Sequence, residues 1–314
     1  MVRIALRGLL ALAALSILAL VVALAWLRWD AHRPLDDHFS ARHGALTGVS
    51  IDDTTQRGTQ RSDYLTVHSD SGLAVSLRVL RDDTEVGPIP VLMILGGHRT
   101  GRDAVDLFGD VSGFAVVALD YPYAGPERVR GLAQTFSALP PARRAFVDTP
   151  PAVALALDWL ERQTWAHGGT VLIGASLGVP FAAKAAARDP RIDGVILVHG
   201  AADNEIWLTA QVARRVETPA AHGPLGTLLY WLAYGPTFDT AANVAQIAPR
   251  PVLIIGARDD ERTPAGQTEA LFAAAGEPKR LRWTDGRHVE PDRTDVIDQM
   301  MAIASQELEF LLPR

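Results

Sequence analysis

The part of this sequence best suited to chemistry is a serine within a glycine-flanked pentapeptide, Gly174-Ala175-Ser176-Leu177-Gly178. The apolar residues 170–173 precede it and small helix-forming residues follow, which is the pattern of a strand that turns sharply into a helix. The glycines leave room for the tight bend, and the first N–H groups of the helix point toward any nearby anion. We therefore predict that Ser176 is a nucleophile.

A serine hydroxyl is a weak nucleophile at neutral pH, so Ser176 needs a base within hydrogen-bond reach and a third group that orients the base. Two later loops offer these groups. An acidic loop at 256–264 leaves the carboxyl end of an apolar strand, and the segment 285–288 ends in His288 just before the last predicted helix. The three chemical types therefore occur in the order serine, acid, histidine.

This order resembles that of the α/β-hydrolase superfamily. Within it, the sequence is similar to bacterial esterase-type hydrolases of the dienelactone-hydrolase and prolyl-oligopeptidase-like groups, including those related to acyl-CoA thioesterases. The resemblance is carried by residues 174–178, 260–264 and 286–289 and extends from about residue 64 to the C-terminus. It implies Ser176 as nucleophile, His288 as general base and an aspartate that orients the histidine.

The identity of that aspartate depends on how the acidic loop is counted. Counting back from Pro264 selects Asp260, whereas counting forward from Gly256 selects Asp259. The Asp-x-x-x-Pro spacing of the similar hydrolases favours Asp260. Asp203, shortly after another apolar strand, is a third candidate.

An acyl-transfer intermediate also needs N–H donors for its oxyanion. Leu177, the residue after the nucleophile, is expected to supply one, and the loop after the strand at 91–95 is expected to supply the other from Gly97 or His98. The same loop lacks both the phosphate-binding and the dinucleotide-binding glycine patterns, so we predict no nucleotide cofactor. The histidines show no paired spacing typical of metal ligands, so we predict no metal either.

Composition narrows the function further. The chain has 314 residues, 48% of them hydrophobic, which is enough for one large domain with an N-terminal extension. Its net charge is −6, and no basic cluster interleaved with aromatic residues is present, so nucleic-acid binding is not predicted. The absence of cysteine excludes disulfides and cysteine nucleophiles.

The N-terminus contains an apolar run at 9–27, preceded by Arg3 and Arg7. At about 1.5 Å per residue, this run reaches nearly across a hydrocarbon layer of about 30 Å. Its length favours a retained transmembrane anchor, although Ala23-Leu24-Ala25 offers a site for signal peptidase. Arg28, Arg33 and Arg42 follow the run, so the basic residues alone do not fix its orientation. We predict an anchor or signal segment at 1–28 with a cytoplasmic N-terminus and the body of the protein exported, or secreted if the segment is cleaved.

The remaining chain is predicted to contain a linker at 29–62 and a catalytic domain at 63–314. Strands are expected to alternate with helices, which favours an α/β fold with a mostly parallel sheet and helices on both faces. An insertion is expected at about 203–248, where aromatic residues shape a pocket or form a small core of their own. The predicted strands are 64–68, 73–80, 91–95, 115–120, 170–173, 195–198, 251–255 and 281–283. The predicted helices are 150–165, one that follows the serine turn up to residue 188, 264–275 and 292–311.

Together these features predict a membrane-tethered serine hydrolase that cleaves carboxylic esters of small molecules through an acyl-enzyme. A thioesterase or an acyltransferase on the same three residues is an alternative. A third hypothesis is a protein with a hydrolase fold that binds a ligand without catalysis. The sequence predicts no oligomeric state.

Overall fold

The structure is a computed structural model that describes residues 2–97, 100–126 and 128–312. Within these residues a nine-stranded sheet has the order β1-β2-β3-β5-β4-β6-β7-β8-β9. The strands are β1 Leu46–Arg57, β2 Gln60–Ser69, β3 Ala74–Asp82, β4 Val91–Leu95, β5 Ala115–Leu119, β6 Thr170–Ala175, β7 Gly194–Val198, β8 Val252–Ala257 and β9 Lys279–Thr284.

Helices connect these strands and cover the sheet. Two short 3₁₀ helices, Gly101–Phe108 and Thr164–Ala166, accompany them. The α-helices are α1 Val2–His32, α2 Asp36–His43, α3 Gly131–Leu160, α4 Gly178–Arg188, α5 Asn204–Ala213, α6 Pro219–Leu232, α7 Thr240–Val244, α8 Gln267–Ala274, α9 Thr294–Gln306 and α10 Leu308–Leu311.

The sheet is parallel from β5 through β4 to β9, and an antiparallel unit of β1, β2 and β3 extends it at one edge. Strands β4 to β8 are largely apolar on both faces because each face packs on a separate core, whereas the edge strand β9 is only partly buried. Met93 of β4 belongs to the core under α3 and α4, whereas Leu92 and Ile94 belong to the core that contains the first 3₁₀ helix and α10. The predicted α/β fold with a mostly parallel sheet and helices on both faces is confirmed.

The N-terminal helix α1 is long and apolar enough to cross a membrane over Leu6–His32, with a mean hydropathy of 2.7 and 0% of its most apolar window buried. Among the α1 residues whose side chains the structure describes, the buried ones lie in the last turns. There Leu27, Asp30 and Ala31, spaced at i, i+3 and i+4, are buried against the rest of the chain. The predicted N-terminal transmembrane or signal helix is therefore present.

The segment 29–62, expected to be a linker, is instead ordered structure. It holds α2, which buries Phe39, and strand β1, which pairs with β2 along its length. The sequence did not indicate β1 because the strand is mostly exposed at the sheet edge, so polar residues occupy both of its faces.

The helix predicted at 150–165 differs at both ends. Helix α3 already begins at Gly131, contains four prolines and ends at Leu160. Asp148 lies inside this helix, where it is buried and accepts a hydrogen bond of 2.9 Å from the Nε of Arg42. Proline is most favourable in the first turn of a helix, and that preference placed the predicted start about twenty residues late.

Candidate active site

The glycine-flanked serine lies at the turn between β6 and α4. The Ser176 backbone has φ 53°, a left-handed conformation that is unusual for a residue with a side chain. Its N–H donates to the carbonyl of Val198 on the neighbouring strand at 2.9 Å, which holds the turn in place. A side chain at either flanking glycine would clash with its neighbours. A Cβ at Gly178 would lie 2.1 Å from the Leu95 oxygen, and one at Gly174 would lie 2.6 Å from the Ala182 Cβ.

Two hydrogen-bonding steps connect Ser176 to an acid. The Nε2 of His288 lies 2.7 Å from the Ser176 Oγ, and its Nδ1 lies 3.0 Å from both carboxylate oxygens of Asp260. The His288 side chain is fully buried. Because the carboxylate can only accept, the Nδ1 carries the proton, and the free Nε2 accepts from the serine hydroxyl. This arrangement can remove the serine proton as the oxygen attacks.

The structure separates the three candidate acids. Asp260 alone contacts His288 among them. Asp259 is exposed in the same loop. Asp203 caps α5 by accepting from the N–H groups of Glu205 and Ile206 at 2.8 and 2.9 Å. The contact with His288 therefore favours Asp260, the residue selected by counting back from Pro264.

The Asp260 carboxylate is held by more than the histidine. It also accepts the backbone N–H groups of Arg262 and Thr263, each at 2.8 Å. Burial alone would raise the pKa of Asp260, but the hydrogen bonds from His288 and from these N–H groups outweigh it and lower the pKa. Asp260 therefore stays ionised beside His288.

Glu261 is a site residue to which the sequence assigned no role. Its Oε2 accepts the N–H of His288 at 3.0 Å, and its Oε1 accepts from Arg293 at 3.0 Å. Burial raises the pKa of Glu261, but the His288 N–H and Arg293 reverse this effect and bring the pKa to about 2. Glu261 thus fixes the backbone of the loop that carries His288.

His199 is a second site residue to which the sequence analysis assigned no role. It is fully buried at the end of β7. Its Nδ1 accepts the N–H of Val289 at 2.9 Å, and its Nε2 lies 3.1 Å from the Thr284 hydroxyl. Since that hydroxyl donates to the carbonyl of Gly256, the Nε2 of His199 carries the proton.

His199 is consequently neutral, and burial, with a smaller contribution from His288, lowers its pKa to about 4. Ligand atoms of His199, Asp260 and His288 lie within 4.8 Å of one another, a spacing that can hold a metal ion. The lone pairs that face this cluster are already used by Val289 and Ser176, so the geometry suits proton transfer better than metal binding.

The predicted oxyanion donors flank Ser176. Among the residues that the structure describes, neither the Leu177 N–H nor the Gly97 N–H has a hydrogen-bond partner. A Cβ at Gly97 would lie 3.5 Å from the Ser176 Cβ, so the two backbones are in close contact. His98, the other predicted donor, lies outside the described residues.

The loop that contains Gly97 is braced by Tyr121. The Tyr121 hydroxyl donates to the carbonyl of Gly96 at 2.7 Å, and the Thr100 hydroxyl donates to the carbonyl of Gly97 at 3.0 Å. In a planar trans peptide the N–H points opposite to the C=O, so fixing the Gly96 carbonyl also fixes the direction of the Gly97 N–H. Burial raises the pKa of Tyr121, which keeps the hydroxyl protonated as a donor.

Two cavities meet at Ser176. One, of about 90 Å³, is almost wholly apolar, and its walls come from α3, α4, α5 and the segment after α6. Its lining residues are Phe146, Ser176, Leu177, Pro180, Phe181, Gly200, Ala201, Asn204, Trp207, Leu208, Ala233, Gly235 and Phe238. The other, of about 490 Å³, combines apolar residues such as Ile94 and Met300 with Arg215, Arg262 and Glu290.

Solved structures of similar shape bear on this arrangement. An acetyl xylan esterase from Paenibacillus sp. R4 aligns with a TM-score of 0.63 at 15% identity, over 86% of this chain and 92% of that chain. Acetyl xylan esterase 1 from Thermoanaerobacterium sp. JW/SL YS485 aligns with a TM-score of 0.61 at 17% identity, over 88% and 93%. The chain has the α/β-hydrolase fold. A cold-adapted esterase from an Arctic intertidal metagenomic library also shares it, with a TM-score of 0.55 at 18% identity over 83% and 98%.

No protein-family model matches the sequence, and no curated protein matches it either. The solved structures named above nevertheless confirm, at the level of the fold, the predicted resemblance to α/β-hydrolases of the esterase type. In this α/β-hydrolase fold the carboxyl ends of β4, β6, β8 and β9 bring Gly97, Ser176, Asp260 and His288 to one edge of the sheet. Ligands of open α/β sheets bind at that edge.

Proposed function

We propose that the protein is a serine hydrolase that cleaves carboxylic esters through an acyl-enzyme. The observation that carries the proposal is the continuous hydrogen-bonded path from the Ser176 hydroxyl through His288 to Asp260. The strained serine backbone, the two N–H groups without described partners and the apolar cavity beside them support it. The esterases among the solved structures of similar fold favour an ester over a thioester substrate.

In the proposed reaction the Ser176 Oγ attacks the ester carbonyl carbon while its proton passes to the Nε2 of His288. The carbonyl oxygen becomes an oxyanion, which the N–H groups of Leu177 and Gly97 stabilise. Collapse of this intermediate expels the alcohol oxygen, which takes the proton from His288. Water then repeats the sequence on the acyl-serine, releasing the carboxylic acid and restoring the Ser176 hydroxyl.

The test is the loss of the hydroxyl. Ser176→Ala is expected to lower kcat/KM for 4-nitrophenyl acetate on the order of 10⁴-fold or more and to abolish labelling by a fluorophosphonate. Ser50→Ala, at an exposed serine of the edge strand β1, is the matched control and should behave as the parent. A parent protein that neither labels nor cleaves esters would instead indicate a binding protein with a hydrolase fold.

We also propose that residues 1–28 form a retained anchor and that the catalytic domain lies on the exported side of the membrane. The possible peptidase site at 23–25 lies inside one continuous helix, α1, rather than at its end. The last turns of that helix are docked on the domain, where Asp30 accepts from Arg143. Arg3 and Arg7 before the apolar run support a cytoplasmic N-terminus, although Arg28, Arg33 and Arg42 after the run act against this orientation.

A further inference from the structure

Helix α5 separates the apolar cavity from the outside of the molecule. Trp207 and Leu208 line the cavity beside Ser176. Ile206, the residue before them, is 46% exposed on the outer side. The helix therefore presents apolar side chains both to the cavity and to the surroundings of the protein.

Helix α6 packs against α5 and continues this outer surface. A Cβ at Gly226 would lie 2.0 Å from the Thr209 hydroxyl oxygen, so the two helices are in close contact. Leu225 and Leu229, one turn apart on the same face, are 36% and 39% exposed. Ala233 and Gly235, directly after α6, line the apolar cavity. The α5–α6 pair is thus a roof over the cavity with an apolar outer face.

This roof lies where the apolar N-terminal helix leaves the domain. The guanidinium of Arg28 is 6.0 Å from the ring centre of Trp231 at the end of α6. Leu225 is only about 9 Å further along α6, at about 1.5 Å per residue. Trp26 and Trp29 of α1 are 58% and 66% exposed at the same level, and tryptophan is typical of the boundary between lipid and water.

We propose that the α5–α6 roof rests on the lipid surface that α1 enters, and that the apolar cavity takes the acyl chain of esters dissolved in that lipid. A bilayer crossed by α1 passes beside the roof, so the exposed leucines and isoleucine meet lipid rather than water. An acyl chain can then move from lipid to cavity with little exposure to water. This inference rests on the proposed ester hydrolysis and adds the substrate class and the docking surface.

The kinetic test uses the full chain reconstituted in phosphatidylcholine vesicles. The variant with Ile206→Glu, Leu225→Glu and Leu229→Glu should hydrolyse 4-nitrophenyl decanoate dissolved in the vesicles at least fivefold more slowly than the parent. Its rate on 4-nitrophenyl acetate in the water phase should not change, because none of the three residues lines the cavity. The matched control replaces three exposed apolar residues remote from the roof, Val49, Ile51 and Val86, by Glu and should act as the parent on both esters.

Equal rates of the roof variant and the control variant on the decanoate would overturn the inference. The proposed function would still be supported in that case if cleavage of the acetate depended on Ser176. If the parent cleaved neither ester, the proposed function itself would fall.

A fluorescence test measures the contact between the roof and the lipid without relying on catalysis. The chain has no cysteine, so Ile206→Cys or Leu229→Cys introduces a unique site for an environment-sensitive fluorophore, and Ile51→Cys is the control. In vesicles, emission from the roof positions should shift to the blue and be quenched by spin-labelled lipid, whereas the control should show neither effect. Identical emission at the roof and control positions in vesicles would contradict a lipid-facing roof. A blue shift at the roof positions that spin-labelled lipid does not quench would contradict it as well.

Discussion

At the scale of single residues, three side chains fix the ring and the backbone of His288 by hydrogen bonds. Asp260 binds its ring, Glu261 binds its backbone N–H, and His199 binds the N–H of the next residue, Val289. Two of these contacts come from the acidic loop after β8, and the third comes from the end of β7. The position of the proposed base therefore depends on hydrogen bonds that do not themselves move a proton.

The choice of acid can be tested with a matched pair of variants. Asp260→Asn removes the charge that orients and stabilises the His288 ring, and it should lower kcat/KM for 4-nitrophenyl acetate about 10³- to 10⁴-fold. Asp259→Asn, at the exposed neighbour, should stay within about twofold of the parent because surface changes away from such contacts have small effects. The reverse ranking of the two variants would assign the acid to Asp259.

The buried neutral His199 predicts a pH dependence of stability. In the unfolded chain a histidine takes up its proton near pH 6.5, whereas folded His199 does so only near its lowered pKa of about 4. Between these values the unfolded state binds more protons, so stability falls as the pH falls from 6.5 toward 4.

His199→Asn removes this proton and tolerates the residue's φ of 52°. Between pH 7 and 4.5 the parent should lose about 2 kcal/mol more stability than the variant. The check is the melting temperature of both full chains in detergent at the two pH values. An equal acid-induced decrease in both would show that His199 does not contribute.

The site residues that the sequence singled out are those whose proposed role follows from local motif and chain order. Ser176 stands in a recognisable turn, and His288 and Asp260 follow it in the expected order. Glu261 and His199 carry no such signal, because their roles arise only when separate loops meet. The direction of the Gly97 N–H depends likewise on Tyr121, a residue from another strand end.

At the scale of elements, the turns at the carboxyl ends of the strands set the geometry of the site. The loop after β4 is fixed by the bond from the Tyr121 hydroxyl to the Gly96 carbonyl. Its partner turn, after β6, is fixed by the bond from the Ser176 N–H to Val198. The two predicted oxyanion donors therefore belong to turns that are each held by a neighbouring element.

Tyr121→Phe tests this support for the loop. Loss of the hydroxyl should leave the Gly97 N–H less well directed and lower kcat for 4-nitrophenyl acetate about tenfold, because loss of a whole oxyanion donor costs about 10²- to 10³-fold. KM should change little, since the ground-state carbonyl depends less on this donor. Tyr123→Phe is the control, because among the described residues its hydroxyl bonds to the carbonyl of Pro126 and not to the loop that contains Gly97. A raised KM with unchanged kcat would mean that Tyr121 contacts the substrate instead.

Elements were predictable where burial left a clear pattern. The strand expected at 91–95 is β4, and that expected at 195–198 falls within β7, since both are apolar on two faces. The edge strand β1 was missed because it is stabilised by backbone pairing and carries few buried side chains. The early start of α3 was missed because Pro150 and Pro151, which lie inside this helix, are typical of the first turn of a helix.

At the scale of the whole molecule, α1 is one continuous helix that contains both the apolar span and the last turns, which pack on the α/β domain. Asp30 pairs with Arg143 of α3, whose guanidinium lies 4.4 Å from the ring centre of Tyr234. Tyr234 in turn lies between Ala233 and Gly235 of the cavity wall. The N-terminal helix is therefore connected to the proposed acyl site through two side chains, which orients that site relative to the helix.

The side of the membrane on which this site lies can be measured with fusions after Arg314. If the N-terminus is cytoplasmic, a bacterial alkaline phosphatase fused there should be active and a green fluorescent protein should be dark, since each matures on only one side. Arg3→Ala with Arg7→Ala should lower the exported fraction, because positive charge before the apolar run holds the N-terminus inside. Fluorescent fusions with inactive phosphatase would place the domain in the cytoplasm, where acyl-CoA thioesters become available as substrates.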